Sequence, residues 1–203
     1  MIVHGAKAIF VHIQKSGGDS ISAALGQPSN CPEKHFLARE LKERYGDSAW
    51  DSYFKFSFVR NPWDRLVSWW SMIDRHRAAF EAGRRFNNFQ TFVLTQARTF
   101  EEFLDRCDQE IADPDGRKWI YRNQLDYLTD TSGRLMVDFV GRFEKISEDF
   151  NSVAQKLGLS TELPHVNKSS HDHYVRYYTP ALADEVGRRF ERDIATFGYA
   201  FGE

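Results

Sequence analysis

The chain lacks the features that define several large classes of protein. Its 203 residues include only two cysteines, Cys31 and Cys107, which are too few for a disulfide framework and are not at metal-binding spacing. It has no run of about 20 apolar residues to span a bilayer and no apolar core of a signal peptide before the first strand-like segment. The net charge is −2, without the basic excess of a general nucleic-acid binder. We therefore expect a cytoplasmic protein with no membrane span and no nucleic-acid partner.

Short apolar runs alternate with helical patterns along the chain. Residues 8–13, 53–59 and 135–143 are rich in branched and aromatic side chains, which is typical of buried parallel strands. The alternation predicts an α/β fold with a mainly parallel sheet. Since there is no linker, repeat or low-complexity tract, we expect a single domain over residues 1–203.

The helical segments have recognisable starts and stops. His35–Tyr45 has apolar residues at helical spacing, and Gly46 is expected to end that helix. Pro62 opens an amphipathic helix. Ser147 is expected to cap a helix that runs to Leu157. A last helix should start at Thr179-Pro180 and run to about residue 196.

A polar, glycine-rich turn follows the first strand, with the sequence Lys15-Ser16-Gly17-Gly18-Asp19-Ser20. Glycines let the main chain approach a phosphate, and main-chain N–H groups at a strand-to-helix turn point outward toward it. Lys15 adds a charge and the two serines add hydroxyl donors. The segment alone is equally compatible with an ordinary turn and a solvated lysine.

The order of residues in this turn disfavours an ordinary ATP or GTP loop. A Walker A loop has its lysine after the glycines, whereas Lys15 precedes Gly17 and Gly18. Such a site also needs an acid for Mg²⁺ after a later strand, and none is clear here, since Asp138 lies within the third strand and is only a weak candidate.

A second motif closes the second strand with Arg60 and continues into the helix that starts at Pro62. Arg60 and Ser68, two turns along that helix, could hold one phosphate between them. Alternatively, Arg60 only caps a strand while Asp64 and Arg65 form surface pairs. Together, the two strand ends form a cradle for an anion with two phosphate-like ends, which indicates a nucleotide cofactor.

These residues resemble the sulfotransferases, in particular the carbohydrate sulfotransferases that use 3′-phosphoadenosine 5′-phosphosulfate. The first motif is similar to Pro-Lys-Thr-Gly-Gly-Thr-Ser, which reads here from Gln14 to Ser20. The second resembles Arg-Asn-Pro-Trp-Asp-Arg-Leu-Val-Ser, which residues 60–68 match at every position. The similarity continues through residues 138–144, 164–169 and the tyrosine-rich segment before Pro180.

The resemblance implies a P-loop-like three-layer domain, its central sheet flanked by helices, and assigns roles by position. The 5′-phosphosulfate would be held by the first motif, namely Lys15, Ser16, Gly17, Gly18, Asp19 and Ser20. Arg60 and Ser68 would hold the 3′-phosphate, and the loop with Lys168 and Ser169 would close over it. Members of this type have a histidine base between the two motifs, and His35 is the histidine in that interval.

Asp19 departs from the family pattern, because it stands where a threonine usually faces the phosphate. A carboxylate there would repel a phosphosulfate by about 1 kcal/mol or more, depending on the local dielectric. Three interpretations are open: the side chain rotates outward and caps the helix, it pairs with a basic residue from elsewhere, or the site is weakened or lost.

The implied function is sulfuryl transfer from 3′-phosphoadenosine 5′-phosphosulfate to a hydroxyl of a carbohydrate or related acceptor, leaving adenosine 3′,5′-bisphosphate and requiring no metal. His35 would be the general base, and Lys15 would stabilise the departing oxygen. Arg122 and Gln124 are candidates for the acceptor pocket. The alternatives are a non-catalytic nucleotide-binding or interaction module of the same fold, and a P-loop-like kinase.

Overall fold

The structure is a computed structural model of the 203-residue chain. It describes residues 1–28, 31–113, 116–160, 163–164 and 172–203. Within these ranges, none of the helices has both the length and the apolar character needed to cross a membrane.

Strands and helices alternate along most of the chain. In order they are β1 (Ile2–Val3), β2 (Ala8–Val11), α1 (Gly18–Ala24), α2 (Ala38–Ser52), β3 (Phe54–Val59), α3 (Pro62–Asp74), α4 (Arg77–Glu81), α5 (Asn88–Gln96), α6 (Phe100–Arg106), β4 (Ile111–Asp113), β5 (Gly116–Lys118), α7 (Gln124–Leu128), β6 (Phe139–Arg142), α8 (Ile146–Leu157), α9 (Pro180–Arg189) and α10 (Glu191–Phe197).

The chain divides into two compact units. The first comprises Met1–Arg60 and Gln124–Lys168, and the second comprises Asn61–Asn123 and Ser169–Glu203. The prediction of one domain over residues 1–203 stays a prediction.

The first unit contains a sheet with the strand order β1-β2-β3-β6. β2, β3 and β6 are parallel, with Phe10 opposite Phe56 and Phe56 opposite Phe139, while β1 runs antiparallel at the edge. The expected mainly parallel sheet, flanked by helices, is therefore confirmed.

Side chains on one face of this sheet form the core of the first unit. Phe10, Phe56 and Phe58 are at most 1% exposed and pack against Ile21 of α1 and Phe150 of α8. Neighbouring strand residues such as Ile9 and Val11 point to the opposite face and are also fully buried. Burial on both faces explains why the strands are continuous apolar runs.

The second unit is built around α3. Its side chains at three- and four-residue steps, including Trp63, Leu66, Trp70 and Ile73, are buried in a cluster with the other helices of that unit. The helix starts as predicted at Pro62, and the Asn61 side chain caps it by accepting a hydrogen bond from the main-chain N–H of Trp63 at 3.1 Å. The short strands β4 and β5 pair antiparallel in the same unit.

Two of the three expected strands have nearly the predicted bounds, but the third is shorter. β6 covers only Phe139–Arg142 of the predicted segment 135–143. Leu135 forms an isolated bridge with Thr129, and the N–H of Met136 donates to the carbonyl of Leu128. The start of the segment therefore pairs away from the sheet.

The helix boundaries also correct the sequence interpretation. α2 begins at Ala38 rather than His35, and Gly46, with φ of 80°, forms a kink inside it rather than its end. A short 3₁₀ turn precedes α8, so Ser147 lies inside the helix and does not cap it. The predicted last helix is interrupted at Phe190 and forms α9 and α10.

Candidate functional site

The first unit brings Lys15 and Arg60, one residue from each motif, together at the carboxyl edge of its sheet. Parallel strands place their carboxyl ends at one edge, where ligands of α/β proteins bind. The Nη1 of Arg60, after β3, donates to the carbonyl oxygen of Lys15, after β2, at 3.1 Å. The Arg60 guanidinium also lies 4.0 Å from the ring centroid of Phe143, which follows β6. Arg60 is only 4% exposed, so this cation is held in place by residues from all three strand ends.

The turn after β2 has a main-chain conformation that depends on glycine. Gly17 has φ of 80°, and Lys15, although not a glycine, has φ of 69°. A Cβ on Gly17 would overlap the side chain of Ile146, and a Cβ on Gly18 would overlap the ring of His12. Side chains are packed directly under the turn, and they fix its path.

Gln124 at the start of α7 holds both motifs through its side-chain amide. Its Oε1 accepts from the N–H of Arg60 and its Nε2 donates to the carbonyl of Arg60, both at 2.8 Å. The Ser16 hydroxyl donates to the same Oε1 at 3.2 Å. Gln124 is fully buried. Its amide thus links the ends of β2 and β3, and its suggested place in the acceptor pocket stays a prediction.

Two histidines lie beside the glycine turn. The ring centroid of His35, in the turn before α2, is 5.0 Å from that of His12 in an edge-to-face arrangement. His35 is half-buried. Within the described part of the chain, the Nδ1 atom of the buried His12 has no hydrogen-bond partner. Burial is the main reason why the pKa of His12 lies well below its usual value. Nearby positive charges, among them those of His35, Lys34 and Lys15, lower it further.

Asp19 pairs with a basic residue from another segment. Its Oδ1 lies 2.7 Å from the Nζ of Lys34. Of the three interpretations open from the sequence, this is the second. The sequence did not identify Lys34, because no local pattern connects an acid in a helix with a lysine fifteen positions later in a separate turn.

The remaining predicted residues occupy different parts of the structure. Ser20 lies in α1 and is 8% exposed, and Ser16 is 1% exposed. Ser68 lies on α3 in the second unit and is 3% exposed. Lys168 and Ser169 are outside the described residues. The role of each in binding stays a prediction.

Asp138 does not lie where a magnesium-binding acid is needed. It precedes β6, at the amino end of the strand, and its Oδ2 accepts from the N–H of Lys55 at 2.8 Å and lies 2.9 Å from the Nζ of Lys55. This position agrees with the interpretation of Asp138 as a poor candidate for a Mg²⁺ ligand. The described ranges contain no group of three or more histidine, cysteine, aspartate or glutamate side chains that could hold a metal ion.

Comparison with known proteins agrees with this architecture. A model of the sulfotransferase family matches residues 1–200. The chain therefore belongs to the sulfotransferase family. It is also 27% identical over 139 residues to an "Uncharacterized protein" of Archaeoglobus fulgidus, an alignment that covers 66% of this chain and 92% of that protein. No solved structure matches the chain.

Proposed function

We propose that this sulfotransferase moves a sulfuryl group from 3′-phosphoadenosine 5′-phosphosulfate to a hydroxyl of a carbohydrate or related acceptor. The hydrogen bond from Arg60 to the Lys15 carbonyl carries the proposal. It joins the two motifs that, in the family resemblance, hold the two phosphate-bearing ends of the donor.

The donor set at the carboxyl edge fits a molecule with several negative charges. Lys15 and Arg60 supply two cations, and Gly17 and Gly18 let the main chain of the turn approach a phosphate closely. When bound, the donor supplies the sulfuryl group together with a phosphate leaving group. The Lys15 ammonium would stabilise the negative charge that develops on the bridging oxygen.

His35 is the proposed general base. It is half-buried, and its ring contacts that of His12, which lies against Gly18 of the glycine turn. Replacing it by alanine should reduce turnover by about 10²-fold while binding of the bisphosphate product survives. His4→Ala, at an exposed histidine, is the control. Near-normal turnover of His35→Ala would remove His35 from the role.

The deciding experiment is titration calorimetry with adenosine 3′,5′-bisphosphate in the absence of metal, with ADP plus Mg²⁺ in parallel. Binding of the bisphosphate alone supports the donor class, and Lys15→Ala should then weaken it by about tenfold or more. Lys42→Ala, on α2, is the control. Binding of ADP with Mg²⁺ alone would replace the proposal by a kinase. If the bisphosphate binds but no labelled sulfuryl group reaches any of a panel of sugars or other alcohols, the non-catalytic module is favoured.

A further inference from the structure

The ion pair between Asp19 and Lys34 links the glycine turn to the segment that carries His35. Asp19 is the second residue of α1, directly after the two glycines. Lys34 lies in the turn before α2, and its Nζ is 2.7 Å from the Asp19 carboxylate. The Lys34 side chain is only 14% exposed, whereas that of Asp19 is 44% exposed. The lysine of this pair is therefore the more buried partner.

The same turn is anchored on its other side by Glu33. The Glu33 carboxylate lies 3.2 Å from the Nε of Arg44 on α2 and accepts from the Cys31 thiol at 3.0 Å. The N–H of Phe36 donates to the Glu33 carbonyl at 3.2 Å. Consecutive residues thus connect the turn to two helices, Glu33 to α2 and Lys34 to α1, and His35 is the next residue.

We propose that Asp19 is a positioning residue: through Lys34 it fixes His35 beside the glycine turn, and the ion pair cancels the carboxylate charge next to the bound donor. This inference rests on the proposed function. It explains how the chain tolerates a carboxylate where the family has threonine. Lys34 neutralises it, and the pairing simultaneously places the proposed base.

The test compares four proteins: the unaltered chain, Asp19→Thr, Lys34→Met and the double variant. Lys42→Met is the matched control, because Lys42 forms a similar lysine–aspartate pair with Asp47, with an N–O distance of 3.3 Å, within α2. Two quantities are measured: the Kd for adenosine 3′,5′-bisphosphate, and the NMR signals of the His35 ring during a pH titration.

Lys34→Met leaves the Asp19 carboxylate uncompensated and should raise the Kd about tenfold. Adding Asp19→Thr to that variant should restore the Kd to within about threefold of the unaltered protein, because the repelling charge is gone. The His35 signals should change in Lys34→Met and in Asp19→Thr, and should be unchanged in Lys42→Met.

Two results would overturn the inference while the proposed function stands. One is a Kd that rises equally in Lys34→Met and the double variant, since threonine would then rescue nothing. The other is a His35 spectrum that is unaffected by loss of the pair. If the unaltered protein does not bind the bisphosphate at all, the proposed function fails, and the His35 spectra alone decide whether the ion pair positions the histidine.

Discussion

The two strand ends that carry the motifs start their helices in opposite ways. After β2, the N-cap of α1 is Gly17, in a left-handed conformation and without a side-chain cap. After β3, the N-cap of α3 is Asn61, whose side chain caps the helix, and Pro62 occupies the first turn. The first helix therefore starts without a side-chain cap, whereas the second is capped by its own asparagine. At the second strand end, the side chain proposed to meet the donor is that of Arg60.

The two strand ends are also supported differently. Under the first, apolar and aromatic side chains, Ile146 and His12, press against glycines that have no Cβ. Behind the second, the Gln124 amide forms two hydrogen bonds with the main chain of Arg60. The difference teaches that one strand end is shaped mainly by close packing against glycines and the other by polar contacts to its main chain. Each mechanism predicts a different kind of sensitivity to mutation.

The largest effect should come from filling the space under the first strand end. In Gly18→Ala the new methyl group would overlap the ring of His12, which is only 3% exposed and has little room to retreat. We expect the free energy of unfolding to fall by about 3 kcal/mol, measured by urea denaturation. Gly5→Ala is the matched control, because no atom of the described residues lies within 4 Å of a Cβ built there.

A smaller side chain at position 12 sharpens this test. Asparagine in place of His12 removes much of the ring that the new methyl group meets. In the His12→Asn background, Gly18→Ala should therefore cost clearly less than in the unaltered chain. Equal costs in the two backgrounds would show that the turn is not shaped by contact with His12.

A smaller loss is expected from removing the polar support of the second strand end. Gln124→Leu keeps a similar volume but removes the present partner of the N–H and carbonyl groups of Arg60 and of the Ser16 hydroxyl. The free energy of unfolding should fall by about 2 kcal/mol, which is the usual cost of unsatisfied buried polar groups. Gln155→Leu, on the exposed face of α8, should be within about 0.5 kcal/mol of the unaltered chain. A cost for Gln124→Leu no larger than this control would contradict a polar support.

The sequence predicts the local parts of this comparison well. β3 and α3 have nearly the expected bounds because apolar runs and a proline at a helix start are signals contained in a few consecutive residues. The predicted parallel sheet follows from the alternation of such segments. The third strand was predicted too long because Met136 is in the same apolar run as β6 but pairs with Leu128 instead.

The contacts that shape the candidate site could not be predicted in the same way. Gln124 is 64 positions from Arg60, and its hydrogen bonds exist only because α7 packs beside the end of β3. The pair of Asp19 and Lys34 likewise joins two separate turns. The sequence motifs identify which residues belong to the strand ends, whereas the tertiary structure decides which side chains hold them.

The last expected effect is a dependence of the free energy of unfolding on pH, which His12 gives to the first strand end. Burial, aided by nearby cations, holds the pKa of His12 well below the usual value of about 6.5, so the folded protein keeps this ring neutral. In the unfolded chain the ring takes up a proton below about pH 6.5. The unfolded state then binds more protons than the folded state, and stability falls as the pH is lowered from about 6.5 toward the folded pKa. Above that window the contribution is fully retained.

The measurement is the free energy of unfolding at several pH values from 7.5 down to about 5, since one proton contributes a slope of up to about 1.4 kcal/mol per pH unit. His12→Asn should flatten the curve by that amount, whatever its effect on stability at neutral pH. Gln155→Leu, which removes no titratable group from the exposed face of α8, should leave the slope unchanged. A slope that is the same in His12→Asn and the unaltered protein would mean that His12 titrates alike in both states. The His12 ring would then not be shielded from water under the glycine turn. The contrast between close packing at that turn and hydrogen bonding behind Arg60 would no longer hold.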